Sequence, residues 1–116
     1  MQLRWTLPAL AMAALPAWAV QGVLKIGEIN SYKAMPAFLE PYKKVMDLAV
    51  EQINAQGGLL GKKVQLVIRD DNGNPGDAVR AAEELYTREK IDVLTGSFLS
   101  HVGMALTDYA GQKKRF

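Results

Sequence analysis

The chain has 116 residues, with 14 Lys and Arg against 12 Asp and Glu, one histidine, no cysteine and a formal net charge of +2. Without cysteine there is no disulfide framework, no thiolate metal site and no lipoprotein attachment point. Charge this close to balance, with Lys43-Lys44, Lys62-Lys63 and Lys113 to Arg115 scattered over different elements, argues against a nucleic-acid surface.

Residues 1–19 carry a single charge, Arg4, then an apolar run broken by Pro8 and Pro16, then Ala17-Trp18-Ala19. A positive start, an apolar stretch and a small-x-small site make a secretory signal peptide with cleavage after Ala19. The run from Trp5 to Val20 is shorter than a bilayer span needs and holds two prolines. The mature protein is therefore expected outside the cytoplasm, in the periplasm. It retains 13 Lys and Arg against 12 Asp and Glu, enough chain for a modest α/β core.

Strand 1 is Leu24 to Asn30, LKIGEIN. Helix 1 is announced by Tyr42, Val45, Met46, Ala49, Val50 and Ile53, spaced three and four apart, so this stripe is expected to pack. Lys43, Lys44, Asp47, Glu51 and Gln52 lie on the wet face. Gly57-Gly58 supplies the stop, and GLLGKK a short hairpin-like link. Strand 2 alternates Val64, Leu66 and Ile68 with Gln65, Val67 and Arg69, then ends in the acidic turn Asp70-Asp71-Asn72-Gly73. Asn74, Pro75 and Asp77 start helix 2, with a capping side chain, a proline whose missing N–H is harmless and a carboxylate at the positive helix end. Its apolar face is Ala78, Val79, Ala82, Leu85 and Tyr86. Strand 3 is expected over Ile91 to Thr95, closed by Gly96. Helix 3 shows Val102, Ala105, Leu106, Tyr109 and Ala110 and is expected to end near Gly111.

This β-α-β-α-β-α rhythm defines an α/β fold, an open parallel sheet with helices on both faces. Right-handed crossovers place strand 1 between the others, giving the order 2-1-3. Strand 3 is then left with an open edge, and a fourth strand is expected from Lys113 onward. An apolar open edge is an aggregation hazard. Residues 20–116 on their own are therefore expected to fold poorly or to associate, and to bind solute weakly.

Several motifs fail on context. GGLLGKK lies between a helix and a strand, the reverse of a phosphate-binding loop, and no Ser or Thr follows Lys62. Asp70-x-Asn72-x-Asn74 mimics a calcium loop, but Pro75 and Ala81 stand where a glycine and a bidentate carboxylate are needed, so a turn-and-cap role is expected. A phosphoreceiver domain needs an aspartate closing strand 3, where Thr95 and Gly96 stand. No residue set for catalysis is present, and no enzyme activity, metal or cofactor is expected.

The loops after strands 1 and 3, Asn30 to Ala37 and Gly96 to Val102, should lie side by side at the carboxyl ends of adjacent strands, where open α/β sheets bind ligands. Helix 3 begins near Ser100, so free N–H groups and a hydroxyl converge on a seat for a carboxylate. Ser100 is read as a ligand contact that can also cap the helix. Tyr32 and Phe98 serve either as walls of a pocket or as core. His101 is read as an exposed first-turn residue, with ligand contact as the alternative. Ser100, Phe98, Tyr32 and His101 are the candidate ligand-binding residues.

The stretch from Lys25 to Ser100, above all INAQGGLLGKKVQLVIRDD and the turn from Gly96 to Ser100, resembles the amino-terminal part of the periplasmic substrate-binding proteins of branched-chain amino acid type ABC transporters. The resemblance implies that residues 20–116 form part of the first of two α/β lobes, the whole closing on a small solute and delivering it to a membrane permease. It also implies that Ser100 meets the polar head of the solute. Members for aliphatic amino acids continue this turn with further Ser or Thr, where this chain has His101, Val102 and Gly103. The resemblance leaves two alternatives beside transport: a sensory ligand-binding domain of a membrane signalling protein, or a nonfunctional truncated fragment.

Overall fold

The computed structural model describes residues 22–116. The signal peptide expected over residues 1–19 lies outside them. Strand β1 (Val23–Asn30) is followed by α1 (Pro36–Ala55), β2 (Lys63–Asp70), α2 (Pro75–Thr87), β3 (Val93–Gly96) and α3 (Ser100–Lys113). The sheet order is β2-β1-β3 and both pairings are parallel, as the crossover rule requires. In register, Asn30 faces Asp70 on one side of β1, and Ile29 faces Gly96 on the other. The carboxyl ends of all three strands therefore meet at one edge of the sheet.

The core lies on one face, between β1, α2 and α3, and holds Ile29, Ala78, Ala82, Leu85, Ile91, Val102 and Leu106. Tyr86 and Tyr109 close it with ring centroids 6.4 Å apart. The Tyr109 hydroxyl donates to Glu83 at 2.5 Å. The expected stripes on α2 and α3 are the faces that pack here. β2 is different: Val64 is buried, and Leu66, Val67, Ile68 and Arg69 are all half-buried. The strand is covered on both sides, so the two faces of the expected alternation both hold packed residues, Val67 reaching the core on one of them.

The stripe expected to pack on α1 is mostly open. Leu39 is the helix's one buried residue, Met46 and Val50 are half-buried, and Val45 and Ile53 are 66% and 37% exposed. The reason lies in the layering, because among the described residues α1 alone covers its face of the sheet and rests mainly on β2. What anchors it is polar. The Asn54 side chain donates to the Val64 carbonyl and accepts from the Val64 N–H, both at 2.8 Å, which satisfies the outer edge of β2.

The turns follow local chemistry. Gly58 takes φ +83°, and a Cβ there would stand 2.1 Å from the carbonyl oxygen of Lys62. Leu59 and Lys62 exchange backbone hydrogen bonds around Leu60 and Gly61, the hairpin-like link expected from GLLGKK. Asn74 caps α2 by accepting from the Asp77 N–H at 3.1 Å. Two boundaries differ from expectation. Ile91 precedes β3 and packs into the core, its N–H donating to Leu85, while α3 runs past Gly111 to Lys113 and ends on Lys114 in the left-handed conformation. Gly111 is a helical residue with nothing near it, so it carries no stop. The edge of β3 makes one further backbone bond, the Leu94 N–H donating to the Phe116 carbonyl at 2.8 Å.

Candidate functional site

Side chains alternate along β1, so Gly27 and Ile29 face α2 and α3, and Glu28 and Asn30 face α1. On that second face, at the carboxyl ends of β1 and β3, a cavity of about 380 Å³ opens. Asn30 and the Thr95-Gly96-Ser97 segment form its sheet side, and Phe38, Leu39 and Tyr42 its helix side. Phe98 closes it, its ring stacked on Phe38 at 5.5 Å with 24° between the planes. Both rings are open to solvent, Phe38 at 60% and Phe98 at 46%.

Two tight fits hold this geometry. Gly96 runs so close to β1 that a Cβ would lie 2.2 Å from the Ile29 carbonyl oxygen, and its φ is +119°. Ser97 also has a positive φ, +78°, and its N–H donates to the same carbonyl at 3.0 Å. Backbone in this region is costly for a side-chain-bearing residue and clusters at functional sites. On the other flank, Asp71 is fully buried and accepts from the Ser31 hydroxyl at 2.6 Å and the Gly73 N–H at 2.7 Å. Its Oδ2 has no partner among the described residues. Asp70 accepts from the Lys33 and Asn72 N–H groups at 2.9 and 2.8 Å. The acidic turn is thus a clasp between the β1–α1 loop and the β2–α2 turn, the turn-and-cap role expected for it. Among the described residues no group of His, Asp and Glu is placed to hold a metal ion.

Beneath the cavity lies a buried carboxyl. Glu28 accepts from the Asn30 amide at 2.8 Å and from the Tyr32 hydroxyl at 2.5 Å. Burial pushes its pKa above the ordinary carboxylate value, the two hydrogen bonds oppose that, and nearby Asp71 adds to it. Burial, and after it the bond to Glu28, pushes the Tyr32 hydroxyl well above the usual tyrosine range.

The four expected site residues fall in three places. Phe98 lines the cavity. Ser100 is exposed at the first position of α3, whose cap, Leu99, makes no side-chain capping bond. The Leu99 carbonyl accepts from Val102 and Gly103, while among the described residues no group accepts from the Ser100 and His101 N–H. The Ser100 hydroxyl makes no capping bond either, so both it and these N–H groups face outward with capacity to spare. His101 is exposed, and its Nε2 lies 3.2 Å from the Gly73 carbonyl, bracing α3 against the β2–α2 turn. Tyr32 lines a separate groove with Lys33, Pro36, Lys43 and Asp70, so the structure does not bring it to Phe98. Phe38 escaped the sequence reading, while Tyr42 was read only as a packing residue of α1 and Asn30 only as the start of the loop after strand 1. Pro36 at the first helical position was the available signal, since a helix begun there puts Phe38 and Tyr42 four apart on one face.

The periplasmic binding protein family model matches residues 24–116. A "Leu/Ile/Val-binding protein homolog 7" of Brucella abortus is 35% identical over 95 residues, covering 79% of this chain and 24% of its own. An "amino acid binding protein" of Pseudomonas aeruginosa is 39% identical over 67 residues, 58% of this chain and 18% of its own. The substrate-binding protein LivJ of Streptococcus pneumoniae, solved with isoleucine, superposes with a TM-score of 0.70 at 27% identity, covering 78% of this chain and 26% of its own. A solute-binding protein of Rhodopseudomonas palustris, solved with 3,4-dihydroxybenzoic acid, gives 0.63 at 27%, covering 80% and 25%. The chain spans between 18% and 26% of the length of these relatives, and its parallel 2-1-3 sheet is part of one lobe of their fold. Their family is one of solute binders, not of enzymes. By the match of its described sequence and by its sheet, the chain belongs to the periplasmic binding protein family.

Proposed function

We propose that this chain is the solute-contacting amino-terminal part of an exported solute-binding component of an ABC importer, which captures a small organic solute, an amino acid or a related carboxylate or amide, and presents it to a membrane permease. The observation that carries the reading is the start of α3. Ser100 places a hydroxyl and two unclaimed N–H groups at the positive end of a 14-residue helix, at the carboxyl edge of β3. Such a terminus favours an anionic or electron-rich head group. The neighbouring cavity supplies apolar wall for the rest of the solute, with Phe98 between the two. The relatives support the same reading, one named for Leu, Ile and Val and others solved with isoleucine and with a dihydroxybenzoic acid. The signal peptide read over residues 1–19 agrees with a periplasmic location.

The test is a solute panel in thermal-shift assays on the whole protein encoded by the gene, followed by calorimetry on the hit. Ser100→Ala is expected to weaken binding about tenfold, the loss of one hydrogen bond to a charged group. Undiminished affinity in that variant counts against the residue assignment. A panel without any hit counts against solute capture itself.

A further inference from the structure

We infer that the solute taken here is a planar, ring-bearing acid, and that Phe38 and Phe98 are the residues that select it; this rests on the reading of the site as a solute pocket. The two rings come from the first turn of α1 and the loop after β3, which are far apart in sequence, yet they meet in a stack at 5.5 Å. Among the described residues the stack stands open at the cavity. Phe38 is 60% exposed, Phe98 46% and Tyr42, one helical turn beyond Phe38, 37%. Three aromatic residues around one cavity of about 380 Å³ offer ring faces on which a flat group gains by leaving water.

The ring geometry narrows what that is. Aromatic rings attract one another in offset stacks with centroids about 4.5 to 7 Å apart, over and above the area they bury. The Phe38–Phe98 pair already adopts that arrangement, so a third flat ring continues it, whereas a saturated or branched group gains only area. The sheet side of the cavity adds a polar edge. Thr95 and Ser97 line it, as does Asn30, whose Nδ2 is committed to the buried Glu28 and whose Oδ1 takes only a long contact, 3.3 Å, from the Ser31 N–H. That edge is rich in acceptors and suits hydroxyl or N–H substituents on the ring. The acid group is the part that the α3 terminus would hold.

The experiment is isothermal calorimetry on the whole encoded protein with solutes matched in size: benzoate and 4-hydroxybenzoate against cyclohexanecarboxylate and leucine. The inference expects the flat acids to bind more than about fivefold tighter than cyclohexanecarboxylate. Phe38→Leu and Phe98→Leu should each weaken the flat acids about threefold to tenfold and shift cyclohexanecarboxylate by less than about twofold. Phe38→Tyr and Phe98→Tyr keep the ring and should keep the preference, which guards against variants that merely unfold. Leucine or cyclohexanecarboxylate binding as tightly as benzoate overturns the inference and leaves the pocket reading intact. Leucine variants that weaken flat and saturated acids equally overturn it as well. No binding by these or by a broad solute panel overturns both.

Discussion

Replacing Gly96 by alanine probes the joint on which the site depends. The added methyl would stand 2.2 Å from the Ile29 carbonyl oxygen and 3.0 Å from that residue's carbonyl carbon and nitrogen. All three are backbone atoms of the central strand, so no side chain can swing aside to relieve the clash. Holding alanine at φ +119° costs about 1–3 kcal/mol. Relieving the clash by pushing β3 away from β1 gives up, in addition, the bond from the Ser97 N–H to Ile29, worth about 1 kcal/mol. The expected loss is therefore about 2–4 kcal/mol, a large share of the roughly 5–15 kcal/mol that holds a domain folded. Urea denaturation of the whole protein should show a lower midpoint with an unchanged slope. The same displacement moves Ser97 and Phe98 away from Phe38, so solute affinity should fall with stability. Gly111→Ala is the control. It lies in α3 with nothing within 4 Å of the new methyl and should be neutral or stabilising by up to about 0.5 kcal/mol. A Gly96→Ala protein with the parent's midpoint and affinity would refute the reasoning.

Three further outcomes are expected. Asn54→Ala strips the edge of β2 of both its side-chain bonds at Val64 and should cost about 2 kcal/mol, with faster amide exchange at Val64 as its local signature; exchange unchanged there would show that β2 does not need the clasp. Asp71→Ala leaves the Ser31 hydroxyl and the Gly73 N–H without their acceptor and should lower the thermal midpoint by the equivalent of about 2–4 kcal/mol, whereas added calcium should leave the parent's midpoint where it is, because both Asp70 oxygens are already engaged. The folded protein holds a proton on Glu28 more readily than the unfolded chain does, so its contribution to stability is greatest below the ordinary value of 4.5 and is lost as pH rises through the higher folded value. Glu28→Gln cannot lose that proton, so its stability relative to the parent should improve as pH climbs through that window, and parallel pH profiles would contradict the burial of an ionisable Glu28.

Much of the fold could be read from local chemistry. Gly57-Gly58, the Asn74-Pro75-Asp77 start and the apolar stripes of α2 and α3 report contacts made within a turn or across one helix face, and the handedness of crossovers then leaves one strand order. The stripe on α1 misled because periodicity says which residues share a face, not whether that face is covered; Val45 and Ile53 belong to the stripe and stay exposed, since among the described residues α1 packs mainly on β2 alone. At the site, the meeting of the β1 and β3 loops followed from topology, and Phe98 with it. The stacking of Phe38 on Phe98 did not, since it depends on where α1 starts, which the apolar spacing does not record. Tyr32 lies in the expected loop but away from Phe98, because its hydroxyl is drawn to Glu28, two strand positions below the edge.

The most direct test of the account is a crystal structure of the whole encoded protein with the solute found by screening. The account predicts a solute whose head group accepts hydrogen bonds from Ser100 and the first N–H groups of α3, and whose body lies against Phe38 and Phe98. A solute seated in the groove between Tyr32 and Lys43, or one that leaves Ser100 untouched, would contradict it.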